Sequence, residues 1–177
     1  RDHHIFRRDQ IENIEIFYSG QAHFGQTVAI GFAASHRRPP EFPFGTAIVR
    51  NVKIHDSTGV AKHAVVGFQY NYTEPHLPRR VIIERISDEG SSRYFFLPGV
   101  LGTHGVVDVT LARISTKLMT SLFASDDRTH QMRLSVSGFT NRSATAVPVK
   151  TFYNGRRASP SHRVGYQRAT SVKGLYN

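Results

Sequence analysis

Ten histidines are the residues of widest chemical reach in this 177-residue chain, since imidazole serves both as a general base and as a metal ligand. His3 and His4 adjoin, and two neighbouring imidazoles bind a transition metal only weakly without a fixed third ligand. His55 precedes Asp56 where a strand runs into a turn, so both read as a solvated strand end. His23, His36, His63, His76, His104, His130 and His162 are scattered, with neither H-E-x-x-H nor H-x-H spacing, and no metal site is expected.

Nucleophilic catalysis finds as little support. A reactive serine needs a base and an oxyanion hole, yet there is no G-x-S-x-G elbow, and serines such as Ser91-Ser92 sit in turn-like contexts. The carboxylate pairs Asp126-Asp127 and Asp88-Glu89 read as turn charges, and Glu12 with Glu15 as a solvated face. Zero cysteines exclude disulfides, thiolate metal sites and thiol nucleophiles. Neither a P-loop nor a G-x-G-x-x-G is present. The expectation is a protein that is not an enzyme and has no cofactor. A hydrolase with a dispersed site stays open, and would show a histidine and a carboxylate within hydrogen-bond reach in a concave cluster.

Charge is the strongest signal. Lys and Arg number 23 against 13 Asp and Glu, a net charge of +10. The last carboxylate is Asp127, and nine cations follow it: Arg128, Arg133, Arg142, Lys150, Arg156, Arg157, Arg163, Arg168 and Lys173. Interleaved with Phe139, Phe152, Tyr153, Tyr166 and Tyr176, they could capture a polyanion, either nucleic acid or a sulfated glycan. Solvated outward faces, or pairing of the tail with acidic surface on a neighbouring subunit, would use the same charges. Two sequons, at Asn71 and Asn141, are glycosylation candidates if the chain is secreted. Arg156-Arg157-Ala158-Ser159 has the form of a basic-directed phosphorylation site but equally belongs to a basic tail.

The elements that must position these groups read as strands. Val28, Ile30 and Phe32 alternate with Thr27, Ala29 and Gly31; Val52 and Ile54 alternate with Asn51 and Lys53 before a turn at Asp56-Ser57-Thr58-Gly59. Ala64, Val66, Phe68 and Tyr70 form the next face, and Glu74-Pro75-His76-Leu77-Pro78 breaks the ladder. Val81-Ile82-Ile83 follows and ends at Asp88-Glu89-Gly90, with further strands at Tyr94 to Leu97, Val106 to Leu111, Met132 to Val136 and Val147 to Tyr153. Over Val107 to Phe123 the spacing of Leu111, Ile114, Leu118 and Leu122 lets a short helix compete with a strand and loop. No internal repeat of convincing length stands out, and no stretch approaches the roughly 18 to 20 apolar residues of a membrane-spanning helix.

From Ile48 to Phe96 the order is Val52-Lys53-Ile54-His55-Asp56, a turn at Gly59, Ala64 to Gly67, a Pro-rich break, Val81-Ile82-Ile83, Ser87 and Tyr94 to Phe96. This resembles the cysteine-free insect family named for the second multiprotein bridging factor, which includes pathogen-induced midgut proteins. The similarity covers residues 12 to 102; the family's Gly-Gly pair is here Gly67-Phe68, its aromatic turn residue after the Asp is missing, and the basic C-terminal segment has no counterpart. The resemblance implies a small secreted β-sandwich without catalytic residues.

Regularly spaced strands without alternating helices predict an all-β fold, an antiparallel, jelly-roll-like β-sandwich. It would span residues 11–153, between an N-terminal arm over 1–10 and a basic C-terminal arm over 154–177. The chain opens on Arg1, as a trimmed or processed chain would. The expected function is that of a secreted, extracellular structural or interaction protein that self-assembles into a homo-oligomer through its arms and meets a polyanion with its basic end. The alternative is a viral coat protein packaging nucleic acid in a virion.

Overall fold

The computed structural model describes residues 7–18, 28–32, 44–68, 78–99, 101, 106–123 and 132–143. These form seven strands: β1 (Arg7–Tyr18), β2 (Val28–Phe32), β3 (Phe44–Asp56), β4 (Lys62–Phe68), β5 (Arg80–Leu97), β6 (Val107–Phe123) and β7 (Met132–Asn141). Every pairing is parallel: β1 with β3, β2 with β4, β3 and β4 with β5, β5 with β6, and β6 with β7.

The hub is β5. Its first part, Arg80 to Asp88, pairs with β3, and its last part, Ser92 to Leu97, pairs with β4, while β6 runs along both stretches. One long strand thus matches two shorter ones joined by the Ser57–Ala61 turn, and β1 with β2 repeats that division. In chain order the strands form five stacked lengths, each called a coil: β1 plus β2, β3 plus β4, β5, β6 and β7. Stacked, they make one parallel sheet curled into a half-barrel.

The curl is set by one residue per coil. Asn13, Asn51, Arg85, Arg113 and Gly138 have φ of 55°, 53°, 56°, 54° and 56°, the left-handed region that costs an L-residue about 1–2 kcal/mol. The register places these five opposite one another, because the pairs on either side of each are in line. After glycine, Asn is among the residues that tolerate this conformation best, and Asn51 Nδ2 donates to Asn13 Oδ1 at 2.8 Å, so the side chains stack as the backbones do.

The left-handed residue shifts the alternation by one. Before and after it inward positions recur every second residue; across it the step is three, from Ile11 to Ile14, Val49 to Val52, Ile83 to Ile86, Leu111 to Ile114 and Val136 to Phe139. Each step bends the strand while keeping both legs pointing apolar side chains inward. Val49, Val52, Ile83, Ile86, Leu111, Ile114 and Phe139 are all buried in one core. Beyond a second corner, the last leg is buried on both faces, as parallel sheets are. Val65 and Val66, Phe95 and Phe96, and Leu122 and Phe123 are adjacent yet all buried. Phe32 stacks on Phe68 at 4.7 Å, Phe68 meets Phe96 edge-on at 6.1 Å, and Phe96 meets Phe123 at 5.8 Å.

These observations correct five expectations. The antiparallel, jelly-roll-like sandwich is replaced by parallel coils, because alternation reports which face is buried and says nothing of the neighbour's direction. The sandwich implied by the family resemblance is overturned by the same finding. The short helix considered over Val107 to Phe123 is β6, its three-residue spacing being the step at Arg113. Asp88-Glu89-Gly90 is no turn but lies inside β5, and the repeat that went unseen is the three-residue step itself. The arm over 1–10 meets the sheet at Arg7, where β1 begins; the strand expected at Val147 to Tyr153 and the arm over 154–177 lie outside the described residues. No helix among the described residues is long and apolar enough to cross a membrane.

Candidate functional site

The second leg of the coils carries chemistry on both sides. On its outer side Glu15, Lys53, Ser87, Ser115 and Thr140 stand in one row across the coils, and Phe17 is in register with His55. His55 lies between two carboxylates, with Nε2 2.9 Å from Glu15 Oε2 and Nδ1 3.0 Å from Glu89 Oε2. Carboxylates only accept, so the ring satisfies both at once when it carries both protons. Phe17, 67% exposed, stacks on the imidazole at 4.5 Å and 9°. Lys53 Nζ is 3.8 Å from Glu89 Oε1. On the neighbouring outer row Arg50 bridges Glu12 at 3.7 Å and Glu84 at 2.5 Å.

On the inner side, at the corner with the last leg, an ionic cluster is sealed from water. Lys62 is 0% exposed, its Nζ 2.6 Å from Asp56 Oδ2 and 3.1 Å from Asp88 Oδ1, with both carboxylates also buried. The turn after β3 builds one half of it. Asp56 Oδ1 accepts from Thr58 N at 3.1 Å and Thr58 Oγ1 at 2.7 Å, and Thr58 Oγ1 accepts from Val60 N at 3.2 Å, with Gly59 at φ 72° closing the turn. β5 builds the other half: Asp88 accepts from Gly90 N and from Ser92 Oγ, each at 3.1 Å. Gly90 has no side chain to spare, because a Cβ there would overlap the Asp56 carboxylate.

The two carboxylates respond oppositely to this setting. Burial pushes Asp56 upward, but hydrogen bonds from Lys62 and Thr58 and the Lys62 charge outweigh it and hold its pKa at about 2. For Asp88 burial wins over Lys62, Gly90 and Ser92, and the pKa is raised. Tyr18, whose ring lies 5.8 Å from Lys62 Nζ, is raised by burial and by the Asp56 and Asp88 charges. Elsewhere, burial and the Arg93 charge lower His63, which packs edge-on against Tyr94 at 5.4 Å.

Of the nine cations proposed for a polyanion, two lie in the described residues and both are engaged. Arg133 on β7 pairs with Asp108 of β6 at 2.5 Å, and the Arg142 guanidinium donates to the Asp88 backbone carbonyl. Arg128, Lys150, Arg156, Arg157, Arg163, Arg168 and Lys173 lie outside the described residues, as does Asn71. Asn141 is half-buried at the end of β7, its Oδ1 accepting from Leu118 N at 2.8 Å and Ser143 N at 3.1 Å.

Sequence reading missed Lys62, took Asp88 for a turn charge and placed Asp56 in solvent. The signal was available: Lys62 opens a strand in which Ala64, Val65, Val66 and Phe68 are apolar, where an unpaired lysine would be costly. Among the described residues no group of three or more His, Asp or Glu is placed to hold a metal ion. No family model, no curated protein and no solved structure matches this chain.

Proposed function

We propose that this chain is a non-catalytic parallel-sheet protein that serves outside the cell as an interaction scaffold, holding an extended, hydroxyl-rich polymer across its coils. The observation that carries this reading is the outer row of the second leg, where Phe17 offers an open aromatic face beside Glu15, Lys53 and His55, followed by Ser87, Ser115 and Thr140. Neighbouring coils are spaced by about 4.8 Å, so a polymer crossing them meets a new polar side chain at each step. Sugar rings suit such a row, stacking an apolar face on the aromatic ring and sharing hydroxyls with carboxylates and serines. The cation-rich segment after Asp127 would add affinity for sulfated or nucleic-acid chains and for a second subunit.

Affinity electrophoresis of the full chain through gels containing a neutral soluble polysaccharide, heparin or neither tests this. Retardation in the neutral polysaccharide, lost in Phe17→Ala, is expected. Migration unaffected by polysaccharide in every gel overturns the scaffold reading, and retardation by heparin alone moves the site to the basic segment. A large, salt-dissociable particle with raised 260 nm absorbance would instead favour a coat protein.

One observation favours a second reading, hydrolysis: His55 has two carboxylates within hydrogen-bond reach. Release of reducing ends from a polysaccharide by the wild type and not by His55→Ala would establish it.

A further inference from the structure

Lys62, Asp88 and Asp56 hold the parts of an acyl-transfer reaction with no substrate but the chain itself. A primary amine touches two carboxyl groups in a site closed to water, Nζ being 2.6 Å from Asp56 Oδ2 and 3.1 Å from Asp88 Oδ1. The two acids are not equivalent in their partners. Asp88 receives donors on both oxygens: Gly90 N–H on Oδ1 would stabilise a developing oxyanion there, and Ser92 O–H on Oδ2 faces the oxygen that would leave. Asp56 is held by the Thr58 amide and hydroxyl with Oδ2 turned to the amine, the place of a general base.

We propose that Lys62 and Asp88 condense within the folded chain into an isopeptide bond, with Asp56 as the base. Asp56 takes one proton from the Lys62 ammonium, and the freed amine attacks Cγ of protonated Asp88. The N–Cγ bond forms and the Cγ–OH bond breaks. The hydroxyl leaves as water with a second ammonium proton, the third stays on the amide nitrogen, and the first remains on Asp56. Neither oxidant nor metal enters the balance. Burial serves the reaction twice, by favouring the neutral acid at Asp88, whose pKa is raised, and by excluding water that would hydrolyse the amide back to acid and amine. Fixed proximity replaces activation of the acid, since oriented groups reach effective molarities of about 10⁵–10⁸ M.

Lys62 is paired with Ser92 in the β4–β5 ladder, so the bond staples the second coil to the third at the corner where the chain turns from its second leg to its last. In the product the carbonyl Oδ1 keeps the Gly90 N–H bond, while Ser92 Oγ, which donated to Oδ2, gives up its acceptor with the departing water.

Intact-mass spectrometry of the full chain, unfolded after incubation at neutral pH, tests this directly. The expected mass is that of the sequence less one water, with a digest yielding a branched peptide that joins Lys62 to Asp88. Lys62→Arg and Asp88→Ala are each expected to show the full sequence mass, and Asp56→Asn to slow the loss of water at least tenfold. A wild-type chain that keeps its full mass, with peptide cleavage after Lys62 intact, overturns the proposal, as does a water loss mapped to any other pair. The wild-type mass decides the matter even where a variant fails to fold.

Discussion

His55 and Asp56 are consecutive residues with opposite fates, and the contrast shows what the curled sheet does to charge. His55 projects outward between Glu15 and Glu89, whose side chains are 58% and 44% exposed. Asp56 projects inward against Lys62, with both side chains almost wholly buried. Outside, water screens each pair and the net contribution is small. Inside, desolvation costs several kcal/mol per ion, and a cluster survives only if each lone pair finds a donor. Thr58, Gly90 and Ser92 supply those donors at 2.7 to 3.1 Å. One residue along a strand therefore separates a pair that can be lost cheaply from one that cannot.

Removing the inner amine should have the largest effect. Lys62→Met leaves two carboxylates facing each other in the core and is expected to lower the unfolding free energy by about 3–5 kcal/mol, read from a denaturant titration; a loss under 1 kcal/mol would erase the contrast. Acid gives a middle-sized effect. While the cluster is ionised, Asp56, at a pKa of about 2, contributes stability that is complete above its unfolded pKa near 4 and is lost as pH falls through 2. Its worth is of order 2 kcal/mol. Asp88 runs the other way: its raised pKa means that stability falls as pH rises from its unfolded value through its folded one. The stability difference between wild type and Asp56→Asn should therefore shrink steadily between pH 4 and pH 2, and a constant difference would show that Asp56 is not held ionised. The outer pair should matter least. Glu15→Gln is expected to change stability by less than about 1 kcal/mol and to have no measurable effect in high salt.

Much of the fold was legible in strand content, and its direction was not. Val28 to Phe32, Val52 to Ile54 and Ala64 to Phe68 announce strands by alternation, and they are strands. Alternation is blind to whether the neighbour runs up or down. The signs of a parallel sheet were the adjacent buried pairs Val65-Val66 and Phe95-Phe96, which one-sided antiparallel strands do not show. β1 was missed because its alternation is interrupted at Asn13, and the apparent helix in β6 arose from the same interruption at Arg113. The five bends are unequally spaced along the chain and share only an apolar-x-x-apolar frame, so no fixed period reveals them. At the site, His55 was noticed for its chemistry, but its partners Glu15 and Glu89 come from neighbouring coils, and only the register brings them together. Lys62 and Asp88 meet for the same reason.

The column of left-handed residues also has a meaning for change over time. Among the described residues each coil pairs with the coils beside it, so the register is renewed at every bend rather than carried from the chain's start. Residues can be gained or lost in the connections between strands without shifting any inward side chain to the wrong side. A gain inside the step, between Ile83 and Ile86 for example, would turn a whole leg inside out. Tolerance and intolerance to insertion should therefore alternate along this molecule with the rhythm of its coils.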